Sequence, residues 1–348
     1  MGRHLKIADF QTEIDGKGTD LFFLENRHGV RAAITNYGAR VVALWLPDAA
    51  GEPDNIVAGY DTIEGYLDHD EAYLGAMVGR YANRIENASF ELEGKRYHVT
   101  ANEGKHHIHG GNKGFHNLVW EAEQPDMNSV KLGLELKDGE EGFPGNIKVE
   151  VTYSFSDSDE LIIETGATTD RTTVLNVTNH SYFNLSGENG IATARSHRLQ
   201  INADHFLPVT VDKIPEGSLK PVRNSPFDFR TFRAIGQHLD PTNEQLNIAD
   251  GYDHNFVINK ETGQELTLAA RVQEPVSGRG LELKTTEPGL QFFECVFPKE
   301  MELNLSSAFC LEPQHFPDSP NRSHYPSTVL KAGEQFYSKS TYRFRNDV

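Results

Sequence analysis

Cysteine is scarce in this chain. There are two among 348 residues, Cys295 and Cys310, and no C-x-x-C pair. A disulfide framework is thereby excluded. Long apolar runs are missing too, so no stretch reads as a membrane-spanning helix. The opening MGRHLKIADF lacks the apolar core of a secretory leader, and the expectation is a cytoplasmic protein. Basic charge is in deficit: 33 Lys and Arg stand against 51 Asp and Glu, a formal net charge of −18. Nucleic acid and anionic membranes want a basic face, so both drop out as partners. There is no G-x-S-x-G elbow for a hydrolase nucleophile and no P-loop. Internal repeats, low-complexity runs and linkers are also missing, which predicts a single domain over residues 1–348.

What is present is strand signal. Val130, Leu132, Leu134 and Leu136 alternate with polar residues, as do Ile147, Val149, Val151, Tyr153 and Phe155. This period of two, broken by turns at residues 137–145 and 156–159, predicts an antiparallel meander. Residues 90–99 read as a hairpin turning at Glu93-Gly94. Further strands are expected near 29–35, 40–46, 256–258, 281–285, 290–297 and 335–344. Short helices are expected within 60–74, with Ile63, Tyr66 and Leu67 on one face, and within 231–239. The fold class is therefore all-β, mostly antiparallel with few short helices, as a sandwich or barrel. Loops at 101–117 and 313–326 are long for a compact domain, and such loops usually carry function.

Residues 173–187, TVLNVTNHSYFNLSG, open as a strand and then crowd Asn176, Thr178, Asn179, His180, Ser181, Tyr182 and Asn184 together. Buried polar groups without partners cost roughly 1–3 kcal/mol each, so this strand is expected to face a polar cleft. His180, at its centre, titrates near neutrality. A structural histidine bonded to a neighbouring strand fits the same residues. Four other clusters stand out. GRYANRI holds Arg80, Asn83 and Arg84. HHIHGG holds His106, His107 and His109, which could be metal ligands or orient a ligand from a loop. In GYDHNF, neighbours on a strand point opposite ways, so one of Asp253 and His254 is expected to face a cleft. In LEPQHFPDSPN, Glu312 ends an apolar strand; taken alone it reads first as an exposed strand-end glutamate, and if partly desolvated there it would suit a general base.

Taken together these stretches resemble the aldose 1-epimerase family. The resemblance runs from TNYGA at residue 35 nearly to the C-terminus. It takes in GRYANRI, FELEGKRYHV, IHGG with GF and Trp120, DGEEGFPG, TNHSYFNLSG, PFDFR, GYDHNF, PGLQF and LEPQHFPDSPN, in order. It implies a galactose mutarotase-like β-supersandwich with an open sugar cleft, and catalysis without metal or other cofactor. It also implies roles: His180 as general acid, Glu312 as general base, and Asn83, Arg84, His109, Asp253 and Gln291 as sugar-binding groups. The partner implied is a free sugar, met by a monomer or homodimer. Two departures are visible. His116 stands after GF where the family usually has an acid, and Phe293-Glu294-Cys295-Val296 replaces a YTGN-like turn. The implied reaction interconverts α- and β-anomers: a base takes the C1 hydroxyl proton while an acid protonates the ring oxygen. A neighbouring carboxylate is expected to keep His180 charged for that step. Readings outside this one are a non-catalytic sugar-binding module and a metal-dependent isomerase using His107 and His109.

Overall fold

Alternation along the strands builds the two main sheets. The computed structural model describes residues 5–69, 72–260 and 266–346; residues 1–4, 261–265, 347–348 and positions 70–71 of the expected helical stretch lie outside this description. Ile147–Phe155 alternates buried with more exposed positions throughout, and Ser129–Leu136 and Glu160–Thr169 follow the same period. These three strands sit in a nine-stranded sheet. Its order is Glu121–Asp126, Ser129–Leu136, Ile147–Phe155, Glu160–Thr169, Gln335–Arg345, Gly280–Thr285, Thr267–Gln273, Arg198–Ile201 and Arg233–Ala234. The expected meander is its first half, paired antiparallel in unbroken register.

A six-stranded sheet runs Tyr182–Phe183, Ser307–Gln314, Gly289–Val296, Asp253–Ile258, Ala203–Phe206 and Lys220–Pro221. Its inward residues Phe256, Leu290, Phe292, Phe309 and Leu311 share one core with Leu132, Val149, Val151 and Ile163 of the larger sheet. Burying each such side chain stabilises the fold by about 1.5–3 kcal/mol. Phe183 stacks on Tyr342 at 5.7 Å, and the Tyr342 hydroxyl donates to the Leu311 carbonyl at 3.2 Å, joining the layers. Period two puts the intervening residues on the opposite face. There Tyr182 and Cys310, with half-buried Phe293, belong to a second apolar cluster shared with the four-stranded sheet of residues 21–55. Asp253, Asn255, Gln291 and Glu312 form the polar part of that face.

The hairpin at 90–99 forms as expected, Ser89–Leu92 on Lys95–His98. Other expectations need correction. The helix Ile63–Asp68 buries Ile63 and Tyr66, but Leu67 is exposed, because six residues present a single narrow stripe to the core. The stretch 231–239 is not a regular helix. It holds the edge strand Arg233–Ala234 and a 3-10 turn, Ile235–His238, since Arg233–Ala234 pairs with Arg198–Leu199. A second helix, Glu244–Ala249, was not anticipated; Asn243 caps it by accepting from the Gln245 and Leu246 N–H groups.

The largest correction concerns residues 173–187. They do not run as one strand. Three two-residue strands, Thr173–Val174, Thr178–Asn179 and Tyr182–Phe183, pair with Leu330–Val329, Val78–Met77 and Cys310–Phe309 in turn. The asparagines hold this broken path rather than face a cleft. Asn176 donates to the Ala82 and His315 carbonyls and accepts from the His315 N–H. Asn179 donates to the Gly75 carbonyl and accepts from the Ser181 hydroxyl. Asn184 donates to the Ala192 and Ser307 carbonyls. A chain that leaves the sheet at each step must satisfy its neighbours' backbone groups by side chain.

Candidate active site

His180 occupies the gap between two of those short strands. Its N–H donates to the Ala76 carbonyl at 2.8 Å and its carbonyl accepts from Gly75 at 3.0 Å, so the backbone is held on both sides. The ring stacks against Tyr182 at 4.8 Å and meets the edge of His109 at 5.4 Å. Nε2 lies 3.7 Å from Oε2 of Glu312, too far for a hydrogen bond but in reach of one intervening atom. Both groups are buried, at 5% and 2% exposure.

Glu312 stands opposite Gln291, which stands opposite Asn255, on three adjacent strands. The Gln291 amide donates to Asp253 Oδ1 at 2.7 Å. Asp253 Oδ2 lies 3.9 Å from Arg84 and 3.5 Å from Lys213. As expected, Asp253 turns to this cleft and His254 to the core, edge-on to Phe227 at 4.6 Å. Arg84 is fixed from the other side by Glu103, which takes both its Nε and Nη2 hydrogens, the latter at 2.7 Å.

The NRI and IHGG segments meet directly. Arg84–Ile85 pairs with His107–Ile108. Asn83 and His109 both adopt left-handed backbone, with φ of 62° and 51°. The Asn83 N–H donates to His109 Nδ1 at 3.2 Å, and the Asn83 side chain accepts from the Arg84 N–H at 2.9 Å. His109 must then carry its ring hydrogen on Nε2. Asn83 shapes this turn. The loop after Glu312 closes the frame: the Asp318 N–H donates to the Arg84 carbonyl at 2.8 Å.

Electrostatics divide the groups. Burial pushes the Glu312 carboxyl well above the usual carboxylate range, and the charge of Asp253 adds to the effect while Arg84 opposes it. Burial pulls the His180 imidazole down to about 4, against its own backbone contact and Asp253. His109 is held well below the ordinary histidine value first by burial and then by the nearby His180, Arg84, His116 and His107. Asp253 behaves oppositely: burial works against its charge, but Arg84, Lys213 and the Gln291 amide together lower its pKa. The expectation that a neighbouring carboxylate keeps His180 charged is therefore corrected for the sugar-free cleft. Desolvating two opposite charges costs more than their attraction returns at this separation, so a proton shared by the pair is favoured on Glu312 over His180.

The histidines at 106–109 do not converge on a metal. The strand His107–Ile108 ends before His109, so His107 and His109 do not share a strand face. His107 spends Nδ1 on the Thr100 carbonyl and Nε2 on the Gly110 N–H. His106 accepts from the Asn87 N–H and faces Asp212. Among the described residues no group of three or more metal-ligating side chains is arranged to hold an ion. Arg80 is also elsewhere, donating to the Pro144 and Gly145 carbonyls over the Phe143 ring.

A family model of aldose 1-epimerases matches residues 20–343. The chain belongs to the aldose 1-epimerase family. It is with that an enzyme of the isomerase class. Similar proteins include a galactose mutarotase of Bos taurus, 38% identical over 94% of this chain and 95% of its own length. An aldose 1-epimerase of Haemophilus influenzae is 36% identical over 95% and 97% of the two chains. The crystal structure of an aldose epimerase homologue from C. elegans superposes with a TM-score of 0.85 at 30% identity, covering 95% of this chain and all of that one. The β-supersandwich expected of the family is thus the observed fold.

Several groups at this site had no signal in the sequence. Lys213 reaches Asp253 from an irregular loop. Glu103 orients Arg84. Tyr73 lies 4.6 Å from both His109 and His116 and 6.1 Å from His180, and so fills the space beside the departure at His116.

Proposed function

We propose that this protein interconverts the α- and β-anomers of free aldohexoses such as glucose and galactose, with Glu312 as base and His180 as acid. The observation that carries the reading is the buried pair itself: one carboxyl and one imidazole, 3.7 Å apart, with burial raising the pKa of the first and lowering that of the second. With a cyclic sugar between them, Glu312 takes the C1 hydroxyl proton as the C1–O5 bond breaks, and Nε2 of His180 gives its proton to O5. Rotation about C1–C2 presents the other carbonyl face, and the transfers reverse. Each positioned proton-transfer group contributes about 10²–10⁴-fold. When sugar binds, the pair's proton must first pass from Glu312 to His180. The transfers to Glu312 and from Nε2 to O5 then return the pair to carboxylic acid and imidazole, the arrangement burial favours.

Arg84, Asp253, Gln291 and the Nε2–H of His109 would hold the hydroxyls, keeping the sugar in register while its ring is open. Asn83 would act by shaping their turn. A neutral free sugar suits this set, which has one carboxylate and a guanidinium already paired to Glu103. A cytoplasmic setting is part of the proposal, supported by both cysteines being free thiols. So is a single domain over residues 1–348. Among the described residues no helix is long and apolar enough to cross a membrane. Polarimetry of freshly dissolved α-D-glucose and α-D-galactose tests the reading. Catalysed relaxation to the anomeric equilibrium is expected; relaxation at the buffer rate with folded protein would overturn it.

A further inference from the structure

His180 has a second nitrogen that the proposed reaction leaves unused. While Nε2 faces Glu312, Nδ1 lies 3.6 Å from the sulfur of Cys310. Cys310 precedes Glu312 by two residues on one strand, so both side chains leave the sheet on the same face. It is fully buried, opposite Tyr182 on one side and Phe293 on the other. Burial pushes its thiol well above the ordinary range, so the sulfur is uncharged.

The rings around His180 fix the plane of its imidazole but not which nitrogen bears the hydrogen. That is set by the atom facing the other nitrogen. An imidazolium that gives its Nε2 proton to a sugar oxygen keeps a hydrogen on Nδ1. In these surroundings that hydrogen needs an acceptor, and those in reach are the residue's own backbone and the Cys310 sulfur. A carboxylate there would bind it strongly and raise the basicity of the ring. A neutral sulfur binds it weakly and adds no charge.

We propose that Cys310 is a positioning residue: its sulfur accepts the Nδ1 hydrogen of His180, confines proton exchange to Nε2, and leaves the imidazolium a ready donor. The inference rests on His180 being the acid of the proposed function. Other titratable or charged groups facing His180 are Glu312 on the same strand as Cys310, Asp253 on the sheet, Tyr73, Tyr182 and His109 around the ring, and Arg40 and His116 behind it.

The test joins ¹⁵N NMR of His180 in the sugar-free protein to kinetics of Cys310→Ser and Cys310→Val. The wild type is expected to carry its ring hydrogen on Nδ1 at neutral pH. Cys310→Ser keeps an acceptor and should keep that tautomer, with kcat within about fivefold. Cys310→Val keeps the volume without an acceptor. It should lose the tautomer and about 10–100-fold in kcat, with KM changed by less than about threefold. If the valine variant does not fold, Cys310→Ala is read by the same criteria. A wild-type ring protonated on Nε2, or a valine variant that keeps both tautomer and kcat, overturns the proposal. The tautomer is read without sugar or turnover. An inactive wild type with hydrogen on Nδ1 would therefore overturn the proposed function and leave the Cys310 contact standing.

Discussion

Gln291 and Glu312 face each other across adjacent strands, yet the Gln291 amide donates to Asp253 and not to Glu312. Oε2 of Glu312 is buried with no hydrogen-bond partner. A carboxyl held this way is costly to the fold, and the cost is repaid only if a ligand supplies the missing contact. The sheet thus offers a desolvated base beside a solidly anchored carboxylate, two acids with opposite tasks.

Glu312→Gln keeps the shape and removes the proton acceptor. Anomer interconversion should fall by about 10²–10⁴-fold while sugar binding changes little. His180→Asn should fall similarly, and the double variant should be little worse than either, because the two serve one step. Polarimetric rates with binding by calorimetry check this. Fully additive losses would mean that the two groups act in separate steps.

The rate should follow a broad bell against pH. Activity needs one proton on the pair. Below about pH 4 His180 gains a second proton while Glu312 keeps its own, and no base remains. As pH rises through the raised pKa of Glu312 the pair loses its last proton, and no acid remains. The kcat/KM profile should therefore hold through the ordinary carboxylate range and decline above it. These limits belong to the pair rather than to either residue. A profile that rises through pH 6.5, the value of a free imidazole, would contradict the buried assignment.

Exhaustive chelation should leave the rate unchanged. Both ring nitrogens of His107 are bonded to backbone groups, and those of His106 face the Asn87 N–H and Asp212, so neither ring is available without breaking the loop at 101–110. Loss of activity on chelation, with recovery on adding a divalent ion, would restore the metal-dependent reading.

Free glucose and galactose should be preferred to glucose 6-phosphate. A dianionic phosphate wants several cations or a helix N-terminus. Arg80 is turned away to the Pro144 and Gly145 carbonyls, Arg84 is paired with Glu103, and Lys213 lies against Asp253. Measuring kcat/KM for the three sugars in one buffer decides it; a clear preference for the phosphate would point to Lys213 and Arg84.

Much of this was legible before the structure, for identifiable reasons. The strand at 290–297 and the apolar strand ending near Glu312 were readable as strands, and once paired they put Gln291 and Glu312 on the face away from Phe292 and Leu311. The pairing of Asp253 and His254 on opposite sides followed from the same geometry. What could not be read was anything set by irregular backbone. The run at 173–187 has strand composition, but its asparagines serve a chain that changes partner every few residues. Tyr73 and Lys213 reach the site from loops, where no periodicity announces direction. Protonation was misjudged because burial is a property of the assembled sheets, and composition does not contain it.

The interrupted path at 173–187 also governs how the molecule comes together. Its three short pieces take partners near residues 78, 310 and 330, each roughly a hundred or more positions away. Hairpins such as Ser89–Leu92 with Lys95–His98 can close early from local chain alone, but His180 acquires its surroundings only when both flanks of the sequence have returned to it. Competence should therefore appear at the end of folding. A nascent chain that still lacks the segment around Cys310 also lacks Gln335–Arg345, the strand that joins the two halves of the larger sheet, and carries none of its chemistry.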